Sequence, residues 1–123
     1  MQAEATKRYI RSSPRKMRLV VDLIRGKKVQ DALTILKFSS KFASTDAELL
    51  LKSAIGNLRV KAEKEGVKLK DDQIIVKEVM VDAGPTIKRI SPAPMGRAFR
   101  IRKRSNHVRI VVQTADHVEP VKE

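Results

Sequence analysis

Apolar residues recur with two different periods along the chain, and together the two periods predict an α+β fold. Residues 2–11 alternate weakly between apolar and polar, which indicates an edge strand. Residues 74–81 are apolar and largely β-branched, and Val108, Ile110 and Val112 recur at every second position, as in a half-buried strand. We predict a three-stranded antiparallel sheet packed on three helices, with a long protruding β-hairpin between the last two of these strands.

The first predicted helix has a clear start signal. Ser13 is suited to the N-cap position, and Pro14 to the first helical position, where its missing N–H is not needed. Gly26 is expected to end the helix, because glycine readily takes the left-handed conformation found there. The buried side is predicted from residues at helical spacing, which are Met17, Val20, Val21 and Ile24.

Two more helices are predicted before the second strand. A short helix covers residues 30–38. A longer one begins either with Ser40 as its cap or one turn later, with a capping box of Thr45 and Glu48, and it ends near Gly66. The stripe that should face the core consists of Phe42, Asp46, Leu49, Leu50, Ser53, Ala54, Asn57 and Leu58.

Residues 82–107 are too polar to form a core and are predicted to be an extended β-hairpin arm. One acid, Asp82, stands against seven cations, which are Lys88, Arg89, Arg97, Arg100, Arg102, Lys103 and Arg104. On the return strand, one face would hold Arg100, Arg102 and Arg104, and the other would hold Phe99, Ile101 and Lys103.

The two ends of the arm are marked by proline and glycine. Gly84-Pro85 predicts a kink where the arm leaves the body, and residues 91–96 predict a turn, because proline gives no N–H to a ladder and Gly96 can take a positive φ. With residues 82–92 extended, the arm would project about 30–35 Å. A lone two-stranded ribbon is marginal in water, so we expect a polyanionic partner to order it. The alternative is a long solvated surface loop.

The net positive charge of the chain also indicates a polyanionic partner. The chain has 27 Lys and Arg residues against 14 Asp and Glu, a formal net charge of +13, so nucleic acid, an anionic membrane surface or an acidic protein is expected to bind it. The excess of positive charge lies mainly in residues 1–28 and 82–123.

The chain contains no cysteine, which excludes disulfides and Cys-based metal sites. No signal region or run long enough to span a membrane appears, so a soluble, unexported protein is expected.

The chain is predicted to be a single domain, residues 1–123, with the arm at 82–107 and a flexible tail at 114–123.

A second basic cluster lies at the start of the first helix, where cations oppose the positive end of the helix dipole. An anion bound there would remove this conflict, so residues 13–18, with Arg15, Lys16 and Arg18, are interpreted as a phosphate-binding corner. A solvated basic turn is the alternative.

The sequence offers little for catalysis. A nuclease would need a constellation such as His107 with Asp82 or Glu78, and a hydrogen-bonding or phosphate-contacting His107 is the simpler interpretation. No metal ligand, cofactor or catalytic residue is predicted, and no enzyme activity is expected. Structured RNA is favoured over DNA, since a cationic ribbon suits recognition by shape. The scarcity of aromatics argues against base-stacking platforms, since the only ones are Tyr9, Phe38, Phe42 and Phe99.

Several blocks of residues have a characteristic order and spacing. They are residues 9–16 (YIRSSPRK), 18–27 (RLVVDLIRGK), 53–57 (SAIGN), 81–85 (VDAGP), 88–89 (KR), 95–98 (MGRA), 103–104 (KR) and His107. In this arrangement the chain resembles the bacterial-type large-subunit ribosomal protein twenty-two family, the exit-tunnel hairpin proteins, over residues 3–113. The resemblance implies a structural constituent of the large ribosomal subunit that binds large-subunit rRNA, aids its assembly and lines the peptide exit tunnel with its hairpin.

Carried over by position, the resemblance implies specific contacts. The rRNA-binding residues would be Arg11, Arg15, Lys16, Arg18, Arg25, Lys27, Lys28, Lys88, Arg89, Arg97, Arg100, Arg102, Lys103, Arg104 and His107. The tip in the tunnel wall would be Ser91, Pro92, Ala93, Pro94, Met95 and Gly96. Residues 91–94 depart from the commoner family pattern, in which many relatives carry extra arginine. This departure leaves open how many phosphates the tip contacts.

The implied partners are large-subunit rRNA, neighbouring large-subunit ribosomal proteins and the nascent peptide, in the cytoplasm, with no membrane, no cofactor and no homo-oligomer. Two rival functions remain at the level of sequence. One is a free RNA-binding chaperone or regulator, and the other is a basic nuclease centred on His107.

Overall fold

The computed structural model describes residues 1–114 and has the α+β architecture predicted from the sequence, with two antiparallel sheets. In chain order the elements are β1 (Gln2–Ile10), α1 (Pro14–Val21), α2 (Val29–Lys37), α3 (Ala43–Lys64), β2 (Ile74–Ala83), β3 (Ile87–Pro92), β4 (Ala98–Lys103) and β5 (Asn106–Thr114). Short 3-10 turns lie at Asp71–Gln73 and Pro94–Gly96. The flexible tail predicted from residue 114 lies, apart from Thr114 itself, outside the described residues.

The body is built on a three-stranded sheet in the order β1-β5-β2, with β5 in the centre. The predicted edge position of β1 is therefore confirmed. Val108, Ile110 and Val112 are fully buried, as their period of two predicted. Both neighbours of β5 run antiparallel to it, so the chain leaves the body from β2 and returns to it in β5 at the same end of the sheet.

Helix α1 starts as predicted but ends earlier than predicted. The Ser13 hydroxyl accepts a hydrogen bond from the backbone N–H of Lys16 at 3.2 Å, and Pro14 is the first helical residue. The helix ends at Val21 rather than at Gly26. Beyond it the backbone pairs with β2, because Gly26 N–H donates to the carbonyl of Val76 and its own φ is +79°. Between Val21 and Gly26 the N–H groups of Leu23 and Ile24 donate to carbonyls three residues earlier, so the helix tightens into turns before the chain reaches the sheet.

The predicted start of α3 was wrong in both of its versions. Ala43 is the first helical residue and Phe42 is the N-cap, although a phenylalanine side chain cannot accept a hydrogen bond. The predicted stripe was also misplaced, because only Leu50, Ala54 and Leu58 of its members are buried. The exposed members are Phe42, Leu49, Ser53 and Asn57. Helix α3 packs on β1 and β5 as well as on α1 and α2, so the residues it buries include Ala47, Leu51, Ile55 and Ala62. Because α3 contacts both the sheet and the other two helices, its buried residues cover a wider part of its surface than a single stripe.

The arm is a sheet of its own. Strands β3 and β4 pair from Ile87 opposite Lys103 to Pro92 opposite Ala98, and they do not join the sheet of the body. The predicted kink is confirmed, because β2 ends at Ala83 and β3 begins only at Ile87. The predicted turn is confirmed for its second half, the 3-10 turn Pro94–Gly96, where Gly96 has a φ of +70°. Met95 takes a φ of +63°, which the sequence did not indicate.

Candidate nucleic-acid interface

The start of α1 and the base of the arm face one another across an open groove of about 980 Å³. We call it the basic groove. It is lined by Tyr9, Arg11, Ser12, Ser13, Arg15, Lys16, Pro85, Ile87, Arg89, Arg102, Lys103, Arg104 and Ser105. Seven of these residues are cationic, and none of these described lining residues is acidic. Two basic clusters that are far apart in sequence therefore form one surface, and seven like charges around one groove create a strong positive potential.

A buried asparagine fixes the position of the two walls of the basic groove. The Nδ2 group of Asn106 donates to the backbone carbonyl and to the hydroxyl of Ser12, both at 2.8 Å. Asn106 is fully buried, and it is the first residue of β5, where the arm returns to the body. Its Oδ1 atom has no hydrogen-bond partner within residues 1–114. Sequence reasoning missed this residue, because an isolated asparagine gives no signal of burial.

His107 lies beside the basic groove in a specific tautomer. Its Nδ1 atom accepts a hydrogen bond from the backbone N–H of Tyr9 at 2.9 Å, and the two rings meet edge to face at 4.9 Å. With Nδ1 as acceptor, the neutral ring carries its proton on Nε2. Asp82 is paired with His107 in the sheet register, as a nuclease centred on His107 would require, whereas Glu78 is paired with Val111 further along β5.

Two of the predicted RNA contacts, Arg18 and Arg25, are bonded to the backbone of β2. Arg18 donates to the carbonyl of Val81 at 3.1 Å, and Arg25 donates to the carbonyl of Val79 at 2.7 Å and to the carboxylate of Asp22 at 2.6 Å. These bonds fasten α1 and the turn after it to β2. Charge and position in the sequence do not distinguish these two arginines from the neighbouring cations that line the basic groove.

Most of the other predicted contacts lie in the basic groove or on the exposed arm, whereas Lys27 and Lys28 follow α1 in the chain. Lys27 and Lys28 are exposed and flank the backbone pairing with β2. On the arm, Lys88 is paired directly with Arg102, a like-charge pair that is unfavourable without an anion between or beside the two side chains. The remaining predicted cations of the arm, Arg97 and Arg100, are exposed. So are most residues of the predicted tip, with Ser91 and Ala93 partly covered.

The joint between body and arm leaves no room for a side chain at Gly84. A Cβ atom added there would lie 2.5 Å from the Ser105 hydroxyl, which donates to the carbonyl of Pro85, and 3.2 Å from the His107 ring. We expect G84A to lower the free energy of unfolding by about 1–3 kcal/mol and S105A to lower it by about 1 kcal/mol. The double variant should lose less than their sum, because S105A removes the atom that the new methyl group meets.

Urea unfolding followed by circular dichroism measures these differences. G56A is the matched control, since nothing lies within 4 Å of a Cβ at that helical position. It should raise the stability, by up to about 1 kcal/mol, because alanine is the better helix former. Strict additivity of G84A and S105A would contradict the proposed crowding at the joint.

Other kinds of site find no support in residues 1–114. Among the side chains that the structure describes, no group of three His, Cys, Asp or Glu is arranged to hold a metal ion. None of the helices in that range is both long enough and apolar enough to cross a membrane.

The fold and the basic groove define a class: a small α+β body that carries a cationic β-hairpin beside the N-terminus of a helix. Residues 5–113 match the family described as Ribosomal protein L22p/L17e, and the chain belongs to that family. The resemblance found in the sequence is thereby confirmed.

Relatives similar to the chain are named large ribosomal subunit protein uL22. The protein from Chlorobium phaeobacteroides is 52% identical over 118 residues, which cover 96% of this chain and 99% of the relative. The protein from Chlorobaculum tepidum is 50% identical and covers 95% and 97% of the two chains. The one from Bifidobacterium animalis subsp. lactis is 47% identical and covers 94% and 98%. The similarity therefore extends over nearly the whole length of each protein.

Proposed function

We propose that this chain is a structural constituent of the large ribosomal subunit in the cytoplasm and that it binds large-subunit rRNA through the basic groove and the arm. The observation that carries the proposal is the basic groove itself, in which seven cations from α1 and from the arm converge. Folded RNA brings phosphates from separate segments close together, and a groove of this kind neutralises them. The family and the names of the relatives support the same function.

The finer part of the proposal concerns the arm. The arm would run between RNA segments, with Lys88, Arg89, Arg100 and Arg102 contacting phosphates and the tip, residues 91–96, in the wall of the peptide exit tunnel. The like-charge pairing of Lys88 with Arg102 supports an arm that is stabilised by surrounding anions. Neighbouring ribosomal proteins and the nascent peptide would be its other partners, and assembly of the subunit would depend on it.

Sedimentation of the tagged chain from a lysate, at low and then at high salt, tests the proposal. Simple electrostatic binding weakens steeply as salt rises. We expect the chain to remain with the large subunit at high salt, because an arm enclosed by RNA cannot leave by exchange of ions alone. Movement to the top of the gradient at high salt would instead indicate a peripheral, exchanging RNA-binding chaperone.

A nuclease is not proposed. The pairing of Asp82 with His107 is the one observation in its favour, and the Nδ1 atom of that histidine is already bonded to the backbone of Tyr9. RNA cleavage abolished by H107A would establish it nevertheless.

A further inference from the structure

All the aromatic side chains of the protein are exposed. The one tyrosine and three phenylalanines have exposed fractions of 65% for Tyr9, 78% for Phe38, 82% for Phe42 and 64% for Phe99. Phenylalanine is ordinarily among the most buried residues, and here the core is built from aliphatic side chains and methionine instead. The scarcity of aromatics is therefore a weak argument against base stacking, because every ring is accessible to a partner.

Two of these rings lie at one place, the connection between α2 and α3. We call residues 37–42 the aromatic loop. The Nζ atom of Lys37 lies 6.0 Å from the centre of the Phe38 ring, a cation–π geometry. Lys41 directly precedes Phe42 and is exposed, and the sequence has no acid from residue 32 to residue 45. Exposed rings therefore alternate with positive charge.

Hydrogen bonds within the chain hold the aromatic loop in shape. The backbone N–H of Lys41 donates to the hydroxyl of Ser39 at 3.3 Å, and the hydroxyl of Ser44 donates to the carbonyl of Lys41 at 2.6 Å. A loop that is already ordered loses less conformational entropy on binding than a disordered one. Its residues do not line the basic groove, so the two surfaces are separate.

The chemistry of the aromatic loop fits a nucleic acid better than a protein. An apolar protein partner would require a continuous apolar patch, whereas the rings here are separated by lysine and serine. Stacked bases need only the ring faces, and the phosphates beside them need the cations. We propose that the aromatic loop binds unpaired nucleotides of RNA, with bases stacked on Phe38 and Phe42 and the flanking phosphates paired with Lys37 and Lys41. This inference rests on the proposed function and extends it to a second RNA contact.

The test measures binding of the full-length protein to a single-stranded RNA of about twelve nucleotides with 2-aminopurine near its centre, whose fluorescence reports stacking, and to a duplex of the same length. The double variant F38L/F42L keeps apolar side chains but removes the rings. The control is L49A/V60A, which changes two other exposed apolar residues, with exposed fractions of 56% and 53%. Thermal unfolding should be nearly unchanged in both, because all four side chains lie largely outside the core.

We expect F38L/F42L to bind the single strand at least about tenfold more weakly, with loss of the fluorescence change, and to bind the duplex as the unaltered protein does. The control should match the unaltered protein on both RNAs. Equal affinity of F38L/F42L and the control for the single strand would overturn the proposal. If F38L/F42L then also failed to enter ribosomal particles, the aromatic loop would be a contact for a protein.

Failure of the proposed function itself gives a different result. In that case the unaltered protein moves to the top of the gradient at high salt, whatever F38L/F42L does to binding of the single strand. If groove variants weaken both RNAs while F38L/F42L weakens neither, the proposed function stands and the aromatic loop has no part in it.

Discussion

Replacing Arg15, Lys16, Arg102 and Arg104 with glutamine is expected to weaken rRNA binding by two to three orders of magnitude at about 0.15 M salt. All four side chains line the basic groove, two from α1 and two from the arm. Each phosphate that a cation neutralises adds roughly 0.7–0.9 to the dependence of log K on log salt, so four lost contacts should lower that slope by about 3. Filter binding to large-subunit rRNA at a series of salt concentrations measures both quantities.

The matched control removes the same number of charges from a different surface. Lys52, Lys64, Lys68 and Lys70 are exposed and do not line the basic groove. Their replacement with glutamine leaves the same net charge as in the groove variant. If position decides binding, the control should keep most of the affinity and most of the salt slope. Equal losses in the two variants would mean that the net charge of +13 acts as a whole and that the groove has no special role.

The second large effect is expected from N106D, which changes one buried atom from nitrogen to oxygen. The amide nitrogen of Asn106 donates to the carbonyl and the hydroxyl of Ser12, and the residue is fully buried. A carboxylate there would be a buried charge facing a carbonyl oxygen. We expect a loss of about 3–5 kcal/mol in the free energy of unfolding at pH 7. N57D is the control, because the amide of Asn57 also donates to a backbone carbonyl, that of Glu4, but on the surface.

The pH dependence of N106D distinguishes a buried charge from a simple loss of hydrogen bonds. Burial raises the pKa of the introduced carboxyl in the folded protein above its value of about 3.9 in the unfolded chain. The deficit relative to the unaltered protein should therefore be small below about pH 4, where both states are protonated, and should grow as the pH rises through the folded pKa. Urea unfolding at a series of pH values measures the difference. A deficit independent of pH would show that the charge is not buried.

The strands were predictable because their signals are local. The alternation of Val108, Ile110 and Val112 depends on one buried face, and that face exists in the sheet. The end of α1 was not predictable, because the bond from Gly26 to the carbonyl of Val76 joins residues fifty positions apart. The buried face of α3 was misjudged for the same reason. The number of neighbouring elements that pack on a helix depends on the whole fold. It cannot be predicted from the spacing of apolar residues within the helix itself.

The candidate site, too, was predictable where its signals are local and not predictable where they depend on the fold. The composition of residues 1–28 and 82–107 indicated two basic surfaces, but only the fold brings Arg15 near Arg102 in one groove. Charge alone could not separate Arg18, which is bonded to the carbonyl of Val81, from the neighbouring Lys16, because the difference lies in a backbone oxygen 63 residues away. The aromatic loop was missed for an opposite reason. Its rings were counted in the sequence, and their exposure could only be seen in the structure.

The separation of the arm from the sheet of the body has a consequence for how its length can vary among relatives. Because β3 and β4 pair only with each other, residues inserted opposite one another disturb no register in the body. Two residues added to each strand would lengthen the arm by about 6.6 Å and keep every side chain on its face. One residue added to each strand would invert the faces beyond the insertion. Changes of arm length that preserve its two faces should therefore come in steps of two residue pairs.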